Sequence, residues 1–109
     1  MSDALPPAIL NDQAQKAYRE GQFSLAADLF ERAAHALDAQ GQALDAAEMW
    51  NNVSVASLQA GDAARALHSA EGSDAVFAAH QDARRQGLAL GNQAAALEAL
   101  GQVDEALAR

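Results

Sequence analysis

A segment that begins with glycine and carries alanine five positions later recurs at a fixed interval along this chain. Its copies begin at Gly21, Gly61 and Gly101, at an interval of 40 residues, and place their alanines at Ala26, Ala66 and Ala106. An internal repeat of this length is typical of folds in which one supersecondary unit stacks on the next. The repeat therefore predicts three copies of a helix-turn-helix unit, the last of them cut short.

The composition favours helices that approach one another closely. Hydrophobic residues make up 50% of the 109 residues, alanine is the most frequent of them, and aromatic residues make up only 5%. Alanine has the highest intrinsic helix propensity and a small side chain. We therefore expect one small all-α domain whose helices cross through small residues, with the repeated alanines at the closest crossings.

The charge balance argues against two classes of partner. The chain has 15 acidic and 7 basic residues, a formal net charge of −8. Nucleic-acid binding and polybasic membrane anchoring both require clusters of lysine and arginine, so neither nucleic acid nor membrane is an expected partner.

Cysteine is absent, which excludes disulfides, thiolate catalysis and cysteine-bound zinc. The sequence shows no apolar run of about 18 residues and no signal-peptide pattern, so we expect a cytoplasmic protein.

Glycine and proline divide the chain into predicted helices. After a flexible lead over residues 1–6, Pro7 can open the first helix because the missing N–H is not needed there, and Gly21 can close it. Asp62 and Asp82 are expected to cap the fourth and fifth helices. The expected array has five helices and a short or frayed sixth, over 7–20, 23–38, 43–60, 63–79, 83–100 and 103–109.

These helices pair into units 7–40, 41–80 and a partial 81–109. The last helix carries no stop signal, which indicates a longer array. Alternatively, the fifth helix is the terminal cap and 103–109 is a frayed tail. Gly72 falls inside the fourth helix, where it marks either a close helix contact or a tolerated surface glycine.

Each unit combines a turn glycine with small side chains and with aromatic or branched apolar side chains. The matching residues are Gly21, Phe23, Ala26, Phe30 and Ala33 in the first unit, Trp50, Val53, Ser54, Gly61 and Ala66 in the second, and Leu90, Ala94, Gly101, Val103 and Ala106 in the third. This pattern resembles the tetratricopeptide repeat (TPR) family, and the resemblance covers about residues 7–109. It implies a right-handed superhelix of antiparallel helix pairs. The period of 40 exceeds the usual 34 and is similar to that of kinesin light chain repeats, so longer helices are expected.

The resemblance also implies that the first helix of each unit lines a concave groove for a peptide or helix of a partner protein. The positions carried over are Asn11, Asp12, Gln15, Tyr18 and Arg19, then Glu48, Asn51, Asn52, Val55 and Gln59, then Leu88, Gly91, Asn92, Ala95 and Glu98. Asp12, Asn52 and Asn92 share one repeat position, and amides there can bond a peptide backbone. Alternatively, Asn52 and Asn92 bond neighbouring helices or water.

Charged and small residues at the groove limit the kinds of peptide that we expect it to bind. The family's clamp for a C-terminal carboxylate needs Lys or Arg where this chain has Asn11, Leu88 and Asn92, so a neutral or basic peptide is favoured. Arg84 and Arg85 form either an anion contact at the groove edge or ion pairs with Asp45 or Asp82. Gly87 and Gly91 either open a pocket or allow close helix packing.

We do not expect an enzyme, a cofactor or a metal. The pairs His68 with Glu71 and Glu31 with His35 have helical spacing for metal ligands, but two ligands on a solvated face do not make a site. A second hypothesis is self-association as a homo-oligomer through an uncapped face that carries Leu90, Leu97, Leu100, Val103 and Leu107. A third is an accessory or sensor domain of a larger protein.

Overall fold

The computed structural model describes the backbone of residues 5–108 and the side chains of residues 5–102. Within that range all regular structure is helical, which confirms the all-α fold class. The helices are α1 (Pro7–Arg19), α2 (Phe23–Ala39), α3 (Ala43–Gln59), α4 (Ala63–Ala70), α5 (Ser73–Ala79) and α6 (Ala83–Ala108). No helix in this range is long and apolar enough to cross a membrane. Of the predicted lead, residues 1–4 lie outside the described part.

One turn type joins most of these helices. Between α1 and α2, Gly21 takes φ +79°. Its N–H donates to the carbonyl of Tyr18 at 3.1 Å, and the N–H of Gln22 donates to that of Ala17 at 2.9 Å. This pairing is the Schellman motif, which satisfies carbonyls that a helix end leaves free. Because each turn spans only three residues, successive helices run in opposite directions and pack on each other.

The same turn returns every 20 residues, at Gly41, Gly61 and Gln81. Gln81 is the one turn residue of this series that is not glycine, and it takes a left-handed φ of +58° although it carries a Cβ. The predicted caps are confirmed. Asp62 Oδ1 accepts from the Arg65 N–H at 3.1 Å, and Asp82 Oδ1 accepts from the Arg85 N–H at 3.0 Å.

Alanine forms much of the core, as the composition predicts. Ala26 and Ala66 are fully buried, while the side chain of Ala106 lies outside the described residues. The larger buried side chains of α1–α3 are Leu10, Leu29, Phe30, Leu37, Met49 and Val53. A second cluster joins Phe77 of α5 to Ala47 of α3 and Ala89 of α6. Each helix packs on its neighbour in the chain, and α6 packs on both α4 and α5.

The predicted fourth helix, 63–79, is wrong as a single element. Gly72 takes φ +87° and Glu71 is extended, so the helix breaks into α4 and α5. No atom lies within 4 Å of a Cβ placed on Gly72, which rules out a close helix contact, and the residue is not helical either. The Gln93 side chain of α6 donates to the Ala70 carbonyl at 3.1 Å and to Asp74 Oδ1 at 2.9 Å. Tertiary bonds thus replace helical bonds at the break.

The predicted turn at Gly101 and the separate sixth helix are also wrong. The residues from Ala83 to Ala108 form one helix, α6, which continues through Gly101. Continuing the helix keeps the backbone hydrogen bonds and costs only about 1 kcal/mol for glycine in a helix.

Candidate functional site

α3 is the central helix and leaves one strip of its surface open. α2 packs on one side of it, and α4 and α5 pack on another. The open strip consists of side chains three or four residues apart, which share one face of a helix. Its members are Asp45, Glu48, Asn52, Val55 and Gln59, all exposed or half-buried. Four of these five belong to the predicted groove.

A cavity of about 300 Å³ lies between this strip and α1. Gln15, Tyr18 and Arg19 line it from α1, and Asn52 and Val55 line it from α3. Phe30 of α2 also contributes to its wall. The Tyr18 ring packs edge-on against Phe23, with ring centroids 5.1 Å apart. That contact fixes the direction of the tyrosine side chain at the cavity.

A second cavity of about 200 Å³ lies on the other side of the strip, between α3 and α6. Asn52 and Val55 line this cavity as well as the first one. The two cavities are therefore neighbouring parts of one surface that crosses α3, which we call the α3 groove. It is lined by Gln15, Tyr18, Arg19, Glu48, Asn51, Asn52, Val55, Arg84, Arg85, Leu88 and Asn92, with Phe30 and Phe77 in its walls.

The two arginines of the α3 groove have different surroundings. Arg85 pairs through its guanidinium with Glu48 of α3 and with Asp82, both at 3.5 Å. The prediction of a pair with Asp82 is confirmed, while Glu48 stands in place of Asp45 as the second partner. Arg84 is exposed and forms no ion pair with another described residue. Arg84 therefore carries charge that a ligand can use.

Asn51 carries a polar atom without a partner. The residue is only 8% exposed, and its Oδ1 accepts no hydrogen bond within the described part of the chain. An unsatisfied buried acceptor costs about 1–3 kcal/mol. Because Asn51 lines the cavity between α3 and α6, a ligand that donates a hydrogen bond there would recover this free energy.

Asn52 and Asn92 occupy the same position in successive repeats, and both side chains are half-buried. Among the described side chains, the amides that donate hydrogen bonds are those of Gln15, Gln42 and Gln93. No bond from Asn52 or Asn92 to a neighbouring helix occurs there, so both side chains are available to a ligand. Their role in holding a peptide backbone stays a prediction.

Several predicted residues lie apart from the α3 groove. Asn11 accepts from Gln15 Nε2 at 3.1 Å and lines a third cavity, of about 250 Å³, near the start of α1. Asp12, Gln59 and Glu98 are exposed and do not line these cavities. Glu98 lies roughly a third of a turn away from Asn92 around α6. The register carried over from the TPR family therefore does not fit the later part of α6.

Two glycines and two arginines of α6 also depart from the predicted groove. Gly87 and Gly91 are exposed, and no atom lies within 4 Å of a Cβ placed on either, so close helix packing there is wrong. Neither glycine lines the α3 groove. Arg84 and Arg85 do line it, at the groove edge where one of the two sequence interpretations placed them, although they were not among the positions carried over from the family. Arg84, Leu88 and Asn92 are four residues apart, and this helical spacing aligns Arg84 with two of the positions that were carried over.

Metal binding finds no support in the geometry. Among the residues that the structure describes, no three histidine or carboxylate side chains come close enough together to hold a metal ion. Glu31 with His35 on α2, and His68 with Glu71 at the end of α4, therefore have no third metal ligand among these residues.

Comparison with known proteins does not assign a family. A scan against protein-family models finds no match, and neither a search of curated proteins nor one of solved structures finds a match. The TPR resemblance therefore rests on the residues of this chain alone.

Proposed function

We propose that this protein is a non-catalytic, TPR-like interaction module that binds a peptide or helix of a partner protein in the α3 groove. The observation that carries the proposal is the continuity of the groove, because Asn52 and Val55 line the cavities on both sides of α3. A right-handed superhelical stacking of the helix pairs and a cytoplasmic location belong to the same proposal. The sequential packing of antiparallel helices supports the stacking.

The chemistry of the groove favours recognition of a peptide main chain. Asn51 offers a buried acceptor without a donor, and Asn52 and Asn92 add amides with both donors and acceptors. Backbone N–H and C=O groups of an extended segment match such a set without requiring one side-chain sequence.

Apolar side chains along the groove supply contact area beside these amides. Val55 is 38% exposed at the centre, Leu88 is 53% exposed toward α6, and Tyr18 lies toward α1. An apolar side chain of the ligand can cover them at roughly 25 cal/mol per Å² buried. The spacing of these patches on three helices suits a ligand that lies across α3 rather than along it.

A displayed library of random peptides tests the proposal, with purified protein as the target and Val55→Lys as the variant. Val55 is exposed and lies where the cavities meet, so lysine blocks the groove without disturbing the core. We expect selected peptides to lose at least tenfold in affinity for this variant. Leu25→Lys is the matched control, because Leu25 is 46% exposed on α2 and lies outside the groove. Peptides that bind both variants equally well would refute the proposal.

Self-association is a second candidate function, favoured by one observation on α6. Leu90 and Leu97 are 47% and 56% exposed, and their spacing of two helical turns places them on one face. Leu100 is half-buried, and the side chains of Val103 and Leu107 lie outside the described residues. Sedimentation velocity over a range of concentrations tests this candidate. It predicts a dimer that Leu90→Glu with Leu97→Glu dissociates, and a wild-type monomer throughout would exclude it.

A further inference from the structure

Another cavity in the described part of the chain lies outside the α3 groove. It has a volume of about 430 Å³ and lies where the end of α2 and the start of α3 face the break between α4 and α5. Its α3 residues, Ala43, Ala47 and Trp50, lie roughly 150° around the helix from the groove strip, close to the opposite side of α3. We call it the back cavity, and a ligand there would not compete with one in the groove.

One wall of the back cavity is a fixed aromatic and carboxylate pair. The Trp50 indole donates from Nε1 to Asp38 Oδ2 at 3.2 Å, which orients both side chains. The His35 ring packs at right angles to Trp50, with centroids 5.0 Å apart, and restrains the indole further. A carboxylate has more acceptor sites than one hydrogen bond uses, so Asp38 can accept from a ligand as well.

The opposite wall comes from the helix break. Glu71 and His68 line it, and Glu71 is exposed because the chain is extended there. Neither Asp38 nor Glu71 forms an ion pair with another described residue. The cavity therefore has two carboxylates without a cationic partner, in a chain of net charge −8.

A buried polar side chain also lines the back cavity. Ser69 is only 4% exposed, and its Oγ makes no hydrogen bond within the described residues. Ala47 and Val76 add apolar side chains to the lining. The lining therefore combines apolar side chains, an aromatic ring, a hydroxyl and two carboxylates.

We propose that the back cavity binds a lysine or arginine side chain presented by a partner protein. The methylene stem of such a side chain suits the apolar wall, and its cationic head is attracted to an aromatic ring and to carboxylates. Charge complementarity selects this occupant, because two carboxylates without a cationic partner and an indole disfavour an anionic or acidic ligand. The proposal is independent of peptide binding in the α3 groove.

Trp50 makes the proposal directly measurable. It is the single tryptophan of the chain, so fluorescence excited selectively from tryptophan reports from the wall of the back cavity. The probe is the blocked tripeptide acetyl-Ala-Lys-Ala-amide, with norleucine in place of lysine as the comparison. The two peptides have the same methylene stem, and only the first has an ammonium group. We expect the lysine peptide to change the Trp50 emission with a dissociation constant on the order of millimolar, as befits one side chain.

Charge-neutralising variants distinguish binding in the back cavity from general attraction of the cationic peptide to an acidic protein. We expect Glu71→Gln and Asp38→Asn each to weaken binding of the lysine peptide by about three- to tenfold. Glu20→Gln is the control, since this substitution removes the same charge at an exposed position at the end of α1. Its affinity for the lysine peptide should equal that of the wild type. Circular dichroism verifies that each variant is folded, and Glu71 is exposed enough that its replacement leaves the fold intact.

Three results would overturn the proposal. An equal emission change with the norleucine peptide would mean that the cavity takes apolar rather than cationic side chains. An equal loss of affinity in Glu71→Gln and Glu20→Gln would mean that net charge alone attracts the peptide. Tighter binding of free spermidine than of the lysine peptide would contradict a protein partner as the source of the cation.

Discussion

The helices α1–α3 and the helices α4–α6 use similar sequence signals and fold differently. In the first region, Gly21 and Gly41 each end a helix, and the next helix folds back without interruption. In the second region, Gly72 breaks a helix, Gln81 forms a turn, and Gly101 continues a helix. A glycine therefore permits a left-handed turn without requiring one.

The cores of the two regions explain why the second is less regular. Six large side chains are buried among α1–α3, whereas Phe77 with two alanines forms the cluster that joins α5 to α3 and α6. Among the described side chains of α4–α6, Phe77 is the one large apolar side chain that is fully buried, so this part has less packing free energy to enforce a repeat. The same irregularity produces the surface features of functional interest, because the break at Gly72 shapes the back cavity and the open face of α6 exposes Leu90 and Leu97.

Truncation of Phe77 should cause the largest loss of stability and tests whether the two regions unfold separately. Phe77 is fully buried, and Phe77→Ala is expected to lower the free energy of unfolding by about 3–5 kcal/mol. Because repeat arrays gain stability from neighbouring interfaces, the loss should concentrate in α5 and α6. Hydrogen exchange measured by mass spectrometry should show faster exchange in those helices than in α1 and α2. Equal acceleration in all helices would show that the two regions unfold as one unit.

Overpacking at the junction of the regions should have the next largest effect. Ala66 is fully buried on α4, and its carbonyl accepts from the Ser54 hydroxyl of α3 at 2.7 Å. We expect Ala66→Trp to lower stability by at least about 1–3 kcal/mol, because the indole must force α3 and α4 apart. Thermal unfolding should then shift downward by several degrees. Ala64→Trp, at an exposed position of α4, should leave the melting temperature nearly unchanged. An unchanged melt for Ala66→Trp would contradict the assigned helix crossing.

The sequence predicted the regular region well because local chemistry decides it. The left-handed glycines and the 3.6-residue pattern of α2 are local signals, and both are observed. The aspartate caps are local signals too and are observed in the irregular region, where they open α4 and α6. The irregular region depends on tertiary contacts that no local pattern contains. Gln93 stabilises the helix break from 19 to 23 residues away, and Gln81 takes a left-handed conformation without being glycine.

The candidate site was predictable to a similar extent. The strip of α3 follows from helical spacing, so Glu48, Asn52 and Val55 fall where they were expected. The positions in α6 depended on a register taken from shorter repeats, and Gly91 and Glu98 consequently fall outside the groove. The back cavity had no sequence signal, since it exists only because the predicted fourth helix is broken at Gly72.

Replacement of two equivalent repeat glycines by alanine tests most directly whether the same sequence signal forms a turn at one position and continues a helix at the other. Gly61 takes φ +84°, where a Cβ costs about 1–2 kcal/mol, so Gly61→Ala should lower the free energy of unfolding by that amount. Gly101 lies inside α6, so Gly101→Ala should raise it by about 0.5–1 kcal/mol through the higher helix propensity of alanine. Urea unfolding of the two variants measures both changes. Opposite signs are the predicted result, and a loss of stability in both variants would contradict it.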